Sequence, residues 1–359
     1  NNRYYSTSIA STTISSSSVS GHNLHVSPEK VKVYMSTTND PLFNIATEDW
    51  LFKTFDLNAQ TLFLWRNAPT CIIGRHQNPF KECHLQQMEK DGVTLCRRYS
   101  GGGAVYQDMG NSIYTFLSPT NQYDKARNSD ILIDSLRKFG VRAELSGRND
   151  LVVDGKKVSG AAFKQSGPRS FHHGTMLLDL DLNALQRYLN PNKEKLRSKG
   201  ITSVISRVCN LKTLVPHITH EQWCQSVMDS FFRCYGKRCD VEELSRSDLQ
   251  KIPALKEVYD VLSSWEWRYG STPSFDHQLE HRFDWGTVDI NFNCNRGIVE
   301  SCKIYSDSLN PLMIELLSEN LVGIRYNELG VLEALDKVKT ILPDTEREIE
   351  ELKIWLVQQ

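Results

Sequence analysis

The stretch Arg97-Arg98-Tyr99-Ser100-Gly101-Gly102-Gly103-Ala104-Val105-Tyr106 organises the reading of this chain. Two arginines and three glycines between strand-like residues put permanent cations beside a backbone with no side chains to hold a ligand away. Exposed N–H groups in such a turn form a concave donor set for phosphate or carboxylate oxygens. No Gly-Lys-Ser/Thr follows, so the loop is not a P-loop, and its spacing is not the Gly-x-Gly-x-x-Gly of dinucleotide-binding folds. The triplet alone reads equally well as a glycine turn flanked by surface arginines.

Outward from this loop, strand and helix patterns alternate. Residues 31–34 alternate like a strand, and Asn39-Asp40-Pro41 supplies a cap and a first-turn proline for a helix burying Phe43, Ala46 and Trp50. Strands are expected at 61–65, 71–73, 93–97, 112–117 and 171–180, with helices at 79–90 and 130–139. Helical patterns dominate 183–264, and a likeness to a hairpin returns at 288–293 and 298–305 before helices to the end. A domain boundary is expected within 245–265, and no internal repeat is visible.

The segment Leu151-Val152-Val153-Asp154-Gly155-Lys156-Lys157-Val158 reads as a hairpin, because Asp-Gly tolerates the positive φ values of a tight turn. Neighbouring lysines on a strand point to opposite faces. Lys157, followed by Ser159-Gly160, is the expected inward one, able to bring a compact charge to a phosphate or oxyanion. Standing alone, the hairpin also fits two surface lysines on an edge strand. His172 and His173 diverge for the same reason, which disfavours a shared metal. There is no Ser-His-Asp arrangement, Gly-x-Ser-x-Gly elbow or cysteine in a nucleophile setting, so covalent catalysis has no candidate. Unaided, these residues imply a pocket for a nucleotide-like anion or an acyl phosphate.

Composition narrows the partners. The 359 residues suggest about two domains. Lys+Arg 42 against Asp+Glu 43 leaves a net charge of -1, so no overall field favours nucleic acid or an anionic membrane. No apolar run approaches the ~18–20 residues of a spanning helix. The 9 cysteines are scattered without a Cys-x-x-Cys pair, which fits free thiols in a reducing compartment. Residues 1–30 are Ser-rich, with Glu29 their only acid, and cannot bury enough apolar surface to order. Composition leaves them as a transit-peptide remnant or a solvated tail.

Several motifs in order resemble the lipoate-protein ligase A and lipoyltransferase family. They are Gly74-Arg75-His76-Gln77-Asn78, Arg97-Arg98-x-Ser-Gly-Gly-Gly-x-Val, Asn149-Asp150-Leu151, Lys157-Val158-Ser159-Gly160, His173-Gly174-Thr175 and Ser198-Lys199-Gly200-x-x-Ser203-Val204. Trp265-Glu266-Trp267-x-Tyr269-Gly270-x-Thr272-Pro273-x-Phe275 looks like the start of that family's C-terminal accessory domain. The likeness covers residues 33–359 and is closest to mitochondrial lipoyltransferase.

The resemblance implies an α/β (α+β) fold: a mixed sheet with packed helices, similar to biotin-protein ligases, plus a small α+β accessory domain. The divisions are a leader at 1–30, a catalytic lipoyl-AMP-binding domain at 31–250 and the accessory domain at 251–359. Lys157 matches the family lysine that touches both the α-phosphate and the acyl carbonyl of lipoyl-AMP. Arg75, Tyr106 and Gly101, Gly102 and Gly103, with Arg98 of the same motif, fall where the lipoyl chain and acyl end are held. Arg148, Asn149, Asp150, Thr175, Lys199, Thr202 and Ser203 fall at adenylate positions. No metal is expected among the protein's own ligands. One position departs: many members have Tyr-His-Asp where this chain has Tyr106-Gln107-Asp108, and glutamine can hydrogen-bond but not titrate.

The implied activity is transfer of a lipoyl group, from lipoyl-AMP or a lipoylated carrier, to a lysine of lipoyl domains on 2-oxoacid dehydrogenase E2 subunits and on the glycine-cleavage H protein. The alternatives are a full ligase activating lipoate with ATP and Mg2+, and a non-catalytic lipoate or adenylate carrier. A monomer is expected, with neither nucleic acid nor membrane as partner. The likeness favours a mitochondrial matrix address for the Ser-rich leader.

Overall fold

The computed structural model describes residues 30–77, 79–147, 149–190, 208–269, 277–295, 298–325 and 328–357. The chain runs through β1 (Lys30–Ser36), α1 (Pro41–Thr54), β2 (Ala59–Trp65), β3 (Thr70–Ile73), α2 (Pro79–Glu82), α3 (Leu85–Lys90), β4 (Thr94–Arg97), β5 (Val105–Gln107) and β6 (Asn111–Pro119). It continues with α4 (Lys125–Arg137), β7 (Glu144–Ser146), β8 (Asp150–Val153), β9 (Lys156–Ser166), β10 (Arg169–Leu177), α5 (Leu182–Tyr188), α6 (His220–Tyr235), β11 (Val241–Leu244), α7 (Pro253–Ser263) and α8 (Trp265–Arg268). The last part is β12 (His277–Phe283), β13 (Gly286–Asn295), β14 (Ile298–Ser306), α9 (Pro311–Asn320), α10 (Glu328–Ile341) and α11 (Glu346–Val357).

An 8-stranded mixed sheet in the order β11-β1-β2-β6-β10-β9-β8-β7 is the frame. One face carries Leu62, Leu64, Tyr114, Phe116, Val158 and Met176 and is covered by α4 and α6. Trp65, Ile113 and Phe171 point the other way and pack with α1 and α7. A 3-stranded sheet, β4-β3-β5, lies on this second side and carries the glycine loop between β4 and β5. The strands β12, β13 and β14 form a separate antiparallel sheet whose core with α9, α10 and α11 includes Val288, Ile290, Ile314, Leu335 and Leu352.

The expected cap is present: the Asp40 carboxylate accepts from Leu42 and Phe43 N–H, and Pro41 opens α1. That helix is not simply amphipathic. Glu48 and Asp49 are buried along with Phe43, Ala46 and Leu51, because α1 is enclosed by the sheet and by α7. The hairpin turn also forms as expected, with Asp154 at φ 50° and Gly155 at φ 74°.

Three expectations of secondary structure change. The helix expected over 79–90 is broken at Cys83 and His84, since Cys83 bridges to Leu189 and His84 N–H donates to Tyr188 O at 2.9 Å. The helical region 183–264 contains a strand, β11, paired in parallel with β1. The pattern before the second hairpin hides another, β12, whose outward residues are largely polar. Helix α7, which a division at 250/251 assigns to the accessory domain, sets Leu255, Val258 and Leu262 into the core beneath α1. The leader at 1–29 lies outside the described residues.

Candidate active site

A cavity of about 300 Å³ opens on the α1 side of the main sheet. One row of paired residues crosses five strands along its floor: Trp65 on β2, Ile113 on β6, Thr175 on β10, Gly160 on β9 and Asp150 on β8. Alternation of side chains puts every member of this row on one face. A neighbouring row adds His173 and Ala162.

Lys157 joins the row through an irregularity. The β8–β9 register pairs Leu151 with Ser159 and Val152 with Lys157, leaving Val158 as an extra residue. This β-bulge sets Lys157 on the same face as Gly160, three residues on, where strict alternation would oppose them. A Cβ built on Gly160 would lie 2.6 Å from Lys157 Cε and closer still to its Nζ. The glycine therefore makes the space that the lysine occupies. Lys157 Nζ meets Asp150 Oδ1 at 2.8 Å, and both residues line the cavity. The Asn149 amide is tied to Ala161 O.

Arg98 lines the cavity, but its guanidinium holds the glycine loop together. Nη2 donates to Gly101 O and Gly103 O, both at 2.8 Å, Nη1 to Ile72 O at 3.1 Å and Nε to Ser100 Oγ at 3.1 Å. Burial lowers its pKa to about 10, which still leaves it charged at neutral pH. Within the loop Gly102 adopts φ 94°, a conformation open to glycine and costly for other residues.

The cations of the expected motifs do not all gather at the cavity. Lys157 faces the cavity. Arg97 gives its donors to the carbonyls of Gln77, Arg75, Trp267 and Arg268. Arg75 stacks on the Trp267 ring at 4.3 Å and pairs with Glu315 at 3.3 Å. Both join the glycine-loop side to the C-terminal part of the chain, where Gly102 N–H donates to Ser308 O and Ser306 N–H to His76 O. Of the remaining expected residues, Gly102, Gly103, Tyr106, Asn149, Asp150 and Thr175 line the cavity. Gly101 instead lies against the Ser308 backbone. Arg148, Lys199, Thr202 and Ser203 lie outside the described residues.

The cavity residue His173 belongs to an expected motif, whereas Glu48 and Thr115 were not singled out from the sequence. At one end the His173 Nδ1–H donates to Glu48 Oε1 at 2.8 Å, Thr115 Oγ1–H donates to the same oxygen, and His173 Nε2 faces Ser100 Oγ at 3.1 Å. Glu48 is buried because the sheet and α7 enclose α1, which no local sequence pattern announces. Ile45, Trp65, Ile72, Ile113 and Ala162 form an apolar middle. At the other end Tyr106, Leu177, Leu180, Leu185, Leu189 and Val208 surround Asn111, whose buried Oδ1 has no partner among the described residues. The cavity can thus take a ligand with an apolar segment beside a cation.

Comparison with known proteins is specific. The family model of the lipoyl protein ligase A/B catalytic domain matches residues 40–232, and that of the bacterial lipoate protein ligase C-terminus matches residues 272–356. The crystal structure of Plasmodium falciparum LipL1 in complex with lipoate superposes with a TM-score of 0.82 at 30% identity, over 92% of this chain and 100% of that one. A bi-partite lipoate protein ligase from Thermoplasma acidophilum, solved with its E2 lipoyl domain, shares the fold with a TM-score of 0.59 at 24% identity, over 69% and 98% of the two chains. Lipoate-protein ligase A bound with ATP gives 0.58 at 23%, over 67% and 99%. The chain belongs to the lipoate-protein ligase family, and its activity is lipoyl attachment to protein lysine.

Proposed function

We propose that this chain is a lipoyltransferase that takes the lipoyl group from lipoyl-AMP and passes it to a specific lysine on lipoyl domains. The observation that carries this reading is the placement of Lys157. It lines the cavity beside Asp150, next to the floor row that leads from Trp65 and Ile113, in a space that Gly160 leaves open. A lipoyl chain along Ile45, Trp65 and Ile113 would pass Thr175 and bring its acyl carbonyl to the lysine, and the phosphate would follow toward Asn149.

The acceptor amine attacks the acyl carbon, the C–N bond forms, and the C–O bond to phosphate breaks with AMP leaving on the electron pair. The amine's proton goes to solvent. AMP is already a good leaving group, so no enzyme nucleophile is required. Lys157 serves by stabilising the carbonyl oxyanion and the departing phosphate, and the cavity walls orient the chain. Of the two carboxylates at the cavity, Glu48 is engaged by His173 and Thr115. Asp150 is engaged by Lys157.

Lipoyl domains of E2 subunits and the H protein are the proposed acceptors, and the Ser-rich leader supports a mitochondrial matrix address. Three donors should be compared on an apo lipoyl domain: lipoate with ATP and Mg2+, lipoyl-AMP, and lipoylated H protein. Transfer from lipoyl-AMP without turnover of free lipoate identifies a transferase, turnover with ATP identifies a full ligase, and product limited to one equivalent of enzyme identifies a carrier.

A further inference from the structure

A chain of buried amides ends at the cavity wall, and the backbone carbonyls at its start set its sense. It begins at Asn44 on α1, whose Nδ2 faces two backbone carbonyls, Thr38 O at 3.1 Å and Arg66 O at 3.0 Å. An oxygen there would oppose two oxygens, so this terminus must be the NH2 group. The Ser36 hydroxyl accordingly donates to Asn44 Oδ1. Asn44 Nδ2 has two hydrogens for three acceptors, so one is shared between a carbonyl and Asn67 Oδ1 at 3.0 Å; the other Asn67 terminus is then a donor, and it reaches Gln107 Oε1 at 2.9 Å. Asn44 and Asn67 are 0% exposed and Gln107 is 4% exposed, so water does not compete for these bonds. With its oxygen committed, Gln107 must turn Nε2 away from Asn67. Gln107 lines the cavity, and its Nε2 makes no hydrogen bond to any described residue.

We propose that Gln107 is a fixed, non-titrating hydrogen-bond donor to an acceptor atom of the bound acyl adenylate, and that Asn67 and Asn44 are positioning residues that prevent its amide from flipping. The inference rests on the acyl-adenylate reading above and adds a specificity element to it. A free glutamine amide would present oxygen and nitrogen alike, whereas the relay presents only the donor. An imidazole at this position would change its donor count with pH, and this wall does not.

The test uses the full-length protein and the sulfamoyl analogue of lipoyl-AMP, with binding followed by calorimetry. Gln107→Glu keeps the shape and the bond from Asn67 but turns the donor into an acceptor. Its Kd is expected to rise about 10- to 100-fold, since a buried ligand acceptor would then face an oxygen. Asn67→Asp leaves Gln107 itself untouched but cannot donate, so the glutamine amide should turn over and weaken binding to a similar degree. Gln107→Leu removes the donor without adding charge and guards against a folding defect in either acidic variant, with thermal unfolding recorded for all three. Binding of the analogue by folded Gln107→Glu and Gln107→Leu within about twofold of wild type overturns the proposal. Failure of the wild-type protein to bind the analogue would instead overturn the underlying acyl-adenylate reading. Pure scaffolding would lower the unfolding temperature of Asn67→Asp while leaving its Kd unchanged, and that result too overturns the donor role.

Discussion

Replacing Gly160 by alanine separates the site's chemistry from its stability. The added Cβ would fall 2.6 Å from Lys157 Cε, and ordinary contact begins near 3.4 Å, so the lysine head must move by about 1 Å or leave for another rotamer. The obstruction is the far end of a flexible side chain, and Gly160 has no positive φ, so the strand need not distort. Folding should be kept or improved by about 0.4–1 kcal/mol through the lower entropy of the unfolded chain. Misplacing a catalytic group by about 1 Å costs on the order of 100-fold in rate. We expect single-turnover transfer from lipoyl-AMP to an apo lipoyl domain to slow by about that factor, while the denaturation midpoint stays at or above that of wild type. Transfer within about threefold of the wild-type rate would refute the claim that Gly160 exists to make room for Lys157, or that the position of Lys157 matters.

Other outcomes follow from the same geometry. Lys157→Ala should fold normally and lose transfer by about 100- to 1000-fold, the value of one preorganised oxyanion donor, as measured by lipoylation rate at saturating lipoyl-AMP. Arg98→Ala leaves the buried carbonyls of Ile72, Gly101 and Gly103 without their donors and should destabilise the protein by roughly 3 kcal/mol in urea unfolding. Arg98→Lys should recover only part of that, because a single ammonium cannot reproduce the fork. Burial lowers the pKa of His172 and His76 from 6.5 to about 3 and that of His220 to about 4. The unfolded chain takes up these protons near pH 6.5 and the folded one does not, so their contribution is complete above that pH. It is lost as pH falls from 6.5 toward 3, at about 1.4 kcal/mol per pH unit for each histidine. His172→Phe, at a site where the ring packs 4.6 Å from Phe163, should remove one proton's worth of slope from urea midpoints measured between about pH 7 and 5.

Much of this molecule was legible in local sequence because local rules decide it. Asp40-Pro41 starts α1 by capping and fixed φ, Asp154-Gly155 turns the β8–β9 hairpin by its positive φ values, and alternation separates Lys156 from Lys157 and His172 from His173. Order along the chain was also enough to bring out the family, since its motifs carry their own spacing. Charge was where linear reading failed. Arg97 and Arg98 are adjacent, yet Arg98 ties up the glycine loop and Arg97 reaches toward Trp267, about 170 residues away in sequence. Residue type says that a guanidinium needs partners, and only the assembled fold says which carbonyls supply them.

What the sequence determined by itself was the inventory: a glycine loop, a lysine hairpin and an elongated run of mixed strand and helix, each set by short-range sterics and periodicity. Tertiary structure decided how these parts meet. The floor row from Trp65 to Asp150 joins strands in the spatial order β2, β6, β10, β9 and β8, which is not their order in the chain. The bulge at Val158 sets Lys157 over Gly160, and the enclosure of α1 buries Glu48 against His173. Register and burial arise only when distant segments pair, because hydrogen-bond partners and exclusion of water belong to the packed chain and not to any one stretch of it.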